Sequence, residues 1–123
     1  MDQPAQAGAD VSLDVYLDVV KCSHCGESER VFSANVTHNL NAMAEEAGLY
    51  KHLWRPEEIG IEFAHQLSEP LRGALLLLAA EPERFQKHNP PNGWGNYTIF
   101  REFVEDYLAA TLTHPDAIVS VSR

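Results

Sequence analysis

The sequence predicts an α+β fold, with an N-terminal β-hairpin and a C-terminal strand forming a small three-stranded sheet and three to four helices packed on one face. Three observations predict it. Val11, Leu13, Val15, Leu17 and Val19 alternate with Ser12, Asp14, Tyr16 and Asp18, the period of two expected of a strand with one buried face. Between residues 40 and 112 the apolar positions recur instead at three- and four-residue spacings, the stripe of an amphipathic helix. Alternation then returns over residues 118–122 at the end of the chain.

Taken in order, residues 1–10 are small and polar and read as a flexible leader to a single domain over residues 11–123. After the first strand, residues 21–28 form a turn and residues 30–36 a second strand, giving the hairpin. A helix follows on Leu40, Met43, Ala44 and Ala47. Thr37 or Asn39 caps its start by accepting from a free backbone N–H, and Gly48 before Leu49 suits a left-handed stop. Residues 50–60 read as a connector. Pro70 lacks a backbone donor, so two helical pieces are expected, residues 56–67 and 69–80, with Ser68 capping the second. That second piece presents Leu71, Ala74, Leu75 and Leu78 on one face. Residues 82–86 add a turn with Phe85 inward, and residues 88–96, rich in Pro and Gly, form an irregular loop. Residues 97–112 form the clearest helix, on Phe100, Phe103, Val104, Tyr107, Leu108 and Leu112. The last strand must satisfy its ladder groups at an edge of the hairpin.

Composition narrows the function classes. The chain has 123 residues, 45% hydrophobic and 22% charged, as ordinary globular domains do. The longest apolar run spans residues 74–80, far short of the ~20 residues a bilayer needs. Eighteen acids against nine bases give a net charge of −9. Neither direct nucleic-acid contact nor an anionic membrane surface is expected from such a balance. Acidity serves solubility, and it also suits docking onto a basic face of another protein. The N-terminus lacks a basic start and an apolar stretch, so a cytoplasmic protein is expected, with its two Cys as thiols or metal ligands.

Cys22-Ser23-His24-Cys25-Gly26 has the spacing of half a zinc knuckle. Cys22 and Cys25 are candidate ligands for zinc, and the remaining ligands would come from His24, His38, His88 or His114; a tight turn carrying two reduced thiols is the favoured reading. Thr37-His38-Asn39 stands where strand two becomes helix, with His38 able to act as an acid, base or donor. Leu53-Trp54-Arg55-Pro56 sets an indole beside a guanidinium, a pairing enriched at binding hot spots. Asn92-Gly93-Trp94-Gly95 carries the second Trp on a loop. The plainer reading makes both Trp lids over the helical core. No nucleophile–base–orienter set appears by spacing, so no catalytic residue is assigned. Glu45-Glu46, Glu57-Glu58 and Glu105-Asp106 read as solvated charge.

The strings Asn35-Val36-Thr37-His38-Asn39-Leu40, Ala47-Gly48-Leu49-Tyr50, Leu53-Trp54-Arg55-Pro56, Asn92-Gly93-Trp94-Gly95 and Pro115-Asp116-Ala117 together resemble a group of small proteins of unknown function encoded by tailed bacteriophages and prophages. The resemblance covers residues 31–123. It implies an origin, and with it the bacterial host cytoplasm, rather than an activity. It also makes His38, Asn39, Trp54, Arg55, Asn92 and Trp94 the defining positions, expected to meet as one binding surface. Three functions are expected in order. The first is a non-enzymatic phage accessory protein binding a host or phage protein, for example as an inhibitor of a host enzyme or defence system. The second is a small-ligand binder that stacks a nucleotide-like molecule on Trp54 and Trp94 beside His38, Asn39 and Arg55. The third is a small zinc-dependent hydrolase.

Overall fold

The computed structural model describes residues 12–22, 24, 26–91 and 96–123, Cys22 by its backbone alone. The leader expected over residues 1–10 lies outside them. Strands β1 (Ser12–Cys22) and β2 (Glu27–Thr37) pair antiparallel, and β3 (Ile118–Ser122) pairs antiparallel with the other side of β1. The order is β2-β1-β3, the three-stranded sheet of the α+β expectation. Strand β2 starts earlier than its apolar pattern suggests. Gly26 takes φ +75°, a left-handed conformation that costs glycine little, so the chain reverses tightly and Glu27 already pairs with Cys22.

The alternation of β1 sorts its side chains as expected. Leu13, Val15 and Leu17 are fully buried and stand opposite Val36, Ala34 and Phe32. The other face is polar: Asn35 Nδ2 donates to Asp14 Oδ1 (2.7 Å), Arg30 Nε donates to Asp18 Oδ1 (2.9 Å), and the Arg30 guanidinium lies 4.0 Å over the Tyr16 ring. A bulge interrupts the register at Val31, because Leu17 pairs with Phe32 and Asp18 with Arg30.

Among the described residues five α-helices cover the buried face, more than the three to four expected. They are α1 (Asn41–Glu46), α2 (Tyr50–Trp54), α3 (His65–Ala80), α4 (Pro82–Gln86) and α5 (Tyr97–Thr113). The extra helix lies where a connector was expected. Residues 49–55 hold neither Gly nor Pro, so α2 forms there, and Pro56 opens a 3-10 turn over Pro56–Ile59. Gly48 ends α1 as expected, at φ +76°, with Leu49 N–H donating to Ala44 O (2.8 Å) and the Leu49 side chain buried. Phe85 of α4 is buried as its pattern required.

Pro70 does not divide its helix: α3 runs through it, and the two-piece expectation fails. A missing helical bond inside a helix costs ~3 kcal/mol. Leu67, Leu71, Ala74 and Leu78 are buried on the face of α3 toward the core, and each leucine contributes ~1.5–3 kcal/mol by leaving water. Burial therefore wins over the local rule. Ser68 caps nothing; its Oγ donates to Thr111 Oγ1 (3.1 Å), joining α3 to α5. Helix α5 is capped by Asn96, whose Oδ1 accepts from Ile99 N–H (2.9 Å). Its stripe departs from expectation at the last turn. Thr111 is fully buried, its hydroxyl donating to Leu108 O (2.8 Å), and Leu112 is exposed.

The two free sides of the sheet are treated differently. The segment before α3 lies along β3: Val119 N–H donates to Glu62 O (3.0 Å), Ala64 N–H to Ala117 O (2.9 Å), and Phe63 bridges to Ile118. The Gln66 side chain holds this segment, its Oε1 accepting from the backbone N–H groups of Glu62 (2.7 Å) and Phe63 (2.8 Å) and its Nε2 donating to Gly60 O (3.0 Å). Among the described residues no strand pairs with the outer side of β2. None of the described helices is long and apolar enough to cross a membrane.

Candidate functional site

The end of the sheet opposite the hairpin turn gathers four of the six positions expected to meet. Strand β2 ends at Thr37, whose Oγ1 accepts from Asn39 N–H (3.3 Å) as a cap on the 3-10 turn His38–Leu40. Trp54 arrives at the end of α2 and donates Nε1–H to His38 Nδ1 (2.8 Å). In the neutral ring this bond places the His38 proton on Nε2. Tyr50, one helical turn before Trp54, stacks on the indole at 5.6 Å and 13°. Arg123 Nη1 donates to Trp54 O (2.7 Å) and to Glu57 Oε2 (3.0 Å), tying the chain end to the same corner. Arg55 Nη1 donates to Glu58 Oε2 (3.3 Å), and Tyr50 and Glu58 raise its already high pKa, Tyr50 the more strongly. Asn92 and Trp94 lie outside the described residues, so the corner is built from His38, Asn39, Trp54 and Arg55.

This corner has the chemistry of a joint. Trp54 is 3% exposed and its only donor is engaged, so its face offers no platform for a stacking base. Leu53 and Trp54 instead carry α2 into the core. Asn39 is exposed, while His38 and Arg55 are half-buried.

The zinc expectation falls on the hairpin turn. The Cys22 side chain and all of Cys25 lie outside the described residues, and His24 is exposed. His38 cannot join them, because Thr37 pairs with Ser12 at the far end of an 11-residue strand, roughly 30 Å away at ~3.3 Å per residue. His88 is bonded to Glu46 through Nε2 (3.2 Å). Among the described residues no three His, Cys, Asp or Glu side chains group as metal ligands.

Glu46, expected to be solvated charge, is instead a tie between α1 and α4. Its carboxylate accepts from Arg84 Nε (2.6 Å), and Lys87 Nζ stands 3.9 Å away. Arg84 first, and His88 after it, hold the Glu46 carboxyl below the usual carboxylate range. Close by, a mostly open cleft of about 350 Å³ runs between Glu45, Tyr50 and Ile59, with His52 in its wall. Burial pushes the His52 pKa down, opposed by the Gly48 backbone.

A site that the residue patterns missed lies on β2. Beside its outer edge a groove of about 330 Å³ is lined by Val31, Phe32, Asp106, Ala109, Ala110, Thr113 and His114. Phe32 is held in place by stacking on Tyr107 of α5 at 5.6 Å and 12°. The first half of β2 carries Glu27, Glu29, Arg30 and the Val31 bulge, all devices that blunt a sheet edge. From Phe32 to Val36 the strand has no charge, no Pro and no register shift. That uncharged run was the available signal. Its position at the edge depends on which side of β1 the last strand takes, and no local pattern states that. No protein-family model matches this chain, and neither does any curated protein or solved structure.

Proposed function

We propose that this chain is a non-enzymatic protein-binding module, a bacteriophage accessory protein that engages a host or phage protein in the bacterial cytoplasm. One observation carries the reading: β3 is covered by a dedicated segment fastened by Gln66, while among the described residues nothing pairs with the uncharged half of β2 beside its apolar groove. A long, flat, open edge invites pairing with another chain, and proteins normally cover or blunt it. Strand addition is a standard mode of protein recognition, with backbone hydrogen bonds giving affinity and neighbouring pockets giving selectivity. The nucleotide-stacking alternative loses support, since the Trp54 indole is buried and its N–H is already donated. A zinc-dependent hydrolase has no described ligand set to build on.

The test is site-specific photo-crosslinking in host cells infected or lysogenised by the source phage. A crosslinker at Ser33, exposed on the open strand, should trap one discrete protein. The same group at exposed Leu76 of α3 should not. Equal or absent crosslinking at both positions contradicts the reading.

A further inference from the structure

Resting on that reading, we infer that the occupant of the β2 edge is an extended, basic segment of another protein, in which Lys or Arg facing the groove alternate with β-branched residues facing solvent. The pleat dictates the alternation. A strand added along residues 32–36 sends every second side chain to each face of the sheet. On the inner face those side chains meet the groove floor, made by Ala109 and Ala110 of α5 with Phe32 and Val31. Small alanine side chains leave room there for the aliphatic stems of Lys or Arg, whose charged ends then stand on the same face of the sheet as Asp106. On the outer face they stand beside Ser33 and Asn35, both exposed and polar.

Charge decides the partner's sign. Asp106 lines the groove, is exposed, and has no ion pair among the described residues. Glu102, one helical turn before it on α5, is likewise exposed and unpaired. Among the described residues no Lys or Arg lines the groove, and the whole chain carries −9. A cationic segment is therefore steered in and finds the Asp106 carboxylate in the groove. A second copy of this chain is disfavoured by the same charges, because β2-to-β2 pairing would set two acidic groove walls and two −9 chains against each other.

The experiment uses the full chain with short synthetic peptides alternating Val with Lys, Val with Glu, or Val with Ser. Fluorescence anisotropy reads affinity, and backbone amide exchange reads the site. The Val-Lys peptide should bind tightest and slow the outward-facing amides of residues 32–36. Asp106→Lys should weaken it about fivefold, the scale of an exposed ion pair lost, while Leu76→Ser should leave it unchanged. Unchanged circular dichroism and thermal midpoint establish that Asp106→Lys remains folded. Equal binding of all three peptides with β2 protected overturns the basic chemistry and leaves strand addition standing. Absence of β2 protection with every peptide overturns strand addition and this inference together. Concentration-dependent dimerisation that protects β2 assigns the edge to a second copy and also overturns it.

Discussion

The indole Nε1–H of Trp54 donates to Nδ1 of His38 across 2.8 Å, bridging 16 residues of chain between the end of β2 and the end of α2. The bond sits where Trp54 is 3% exposed, so the indole N–H has no water as an easy substitute. His38→Ala leaves a buried indole donor unpaired, at a cost of about 1–3 kcal/mol. Chemical denaturation should show that loss with an unchanged slope. An unchanged midpoint would mean the bond contributes nothing to the fold.

Tyr107 predicts the opposite sign. Its ring is fully buried between Phe32 and Phe103, and its hydroxyl has no hydrogen-bond partner among the described residues. Burial alone pushes its pKa up. Tyr107→Phe keeps the ring stacking and removes the orphan group, so the variant should gain about 1 kcal/mol, visible as a rise of roughly 3–5 °C in Tm. A loss of similar size would show that the hydroxyl is satisfied in solution.

Helix α3 carries Pro70 in its interior at the expense of the bond from residue 70 to the Gln66 carbonyl. Pro70→Ala restores that donor. The gain is partly offset, because Pro also restricts the unfolded chain by about 0.4–1 kcal/mol. A net stabilisation of about 2–2.5 kcal/mol is expected by thermal unfolding. Destabilisation would show that the helix has adapted its path to the ring.

Acid should loosen the tie between α1 and α4. The Glu46 carboxyl is held below its ordinary value by Arg84 first and His88 second. A carboxylate depressed in the folded state contributes stability above its unfolded pKa and loses it as pH falls through the folded one. Glu46→Gln should therefore be less stable than the parent at neutral pH, and the two should converge as pH falls below about 4.5. A constant gap across that range would assign Glu46 no titrating role.

What was legible in the residues follows from how local each cause is. Strand β1 was readable because its outer face meets solvent, so Asp14 and Asp18 punctuate Leu13, Val15 and Leu17. Helix α5 was readable through most of its length for the same reason, until Thr111 exchanged places with Leu112 by bonding its hydroxyl to the preceding turn. Pro70 misled because a local rule was outweighed by leucines buried against distant elements. Helix α2 is too short to show a period. Among the site candidates, His38 and Trp54 do meet, yet their meeting serves the fold as much as any surface. Glu46 depends on partners some 38 residues away, and the open edge of β2 depends on topology. The Glu46 tie leaves no mark in its own stretch of sequence, and the edge leaves only the uncharged run of residues 32–36.

The account stands on the outer side of β2 being open in the free protein. Residue-resolved amide exchange measures this without any partner. In an antiparallel edge strand, alternate N–H groups point to the neighbour and to solvent. Over residues 32–36 the amides turned toward β1 should be protected, while those between them should exchange near the rate of an unstructured chain. Uniformly slow exchange along that run would mean the edge is already occupied, and the binding function proposed for it would be contradicted.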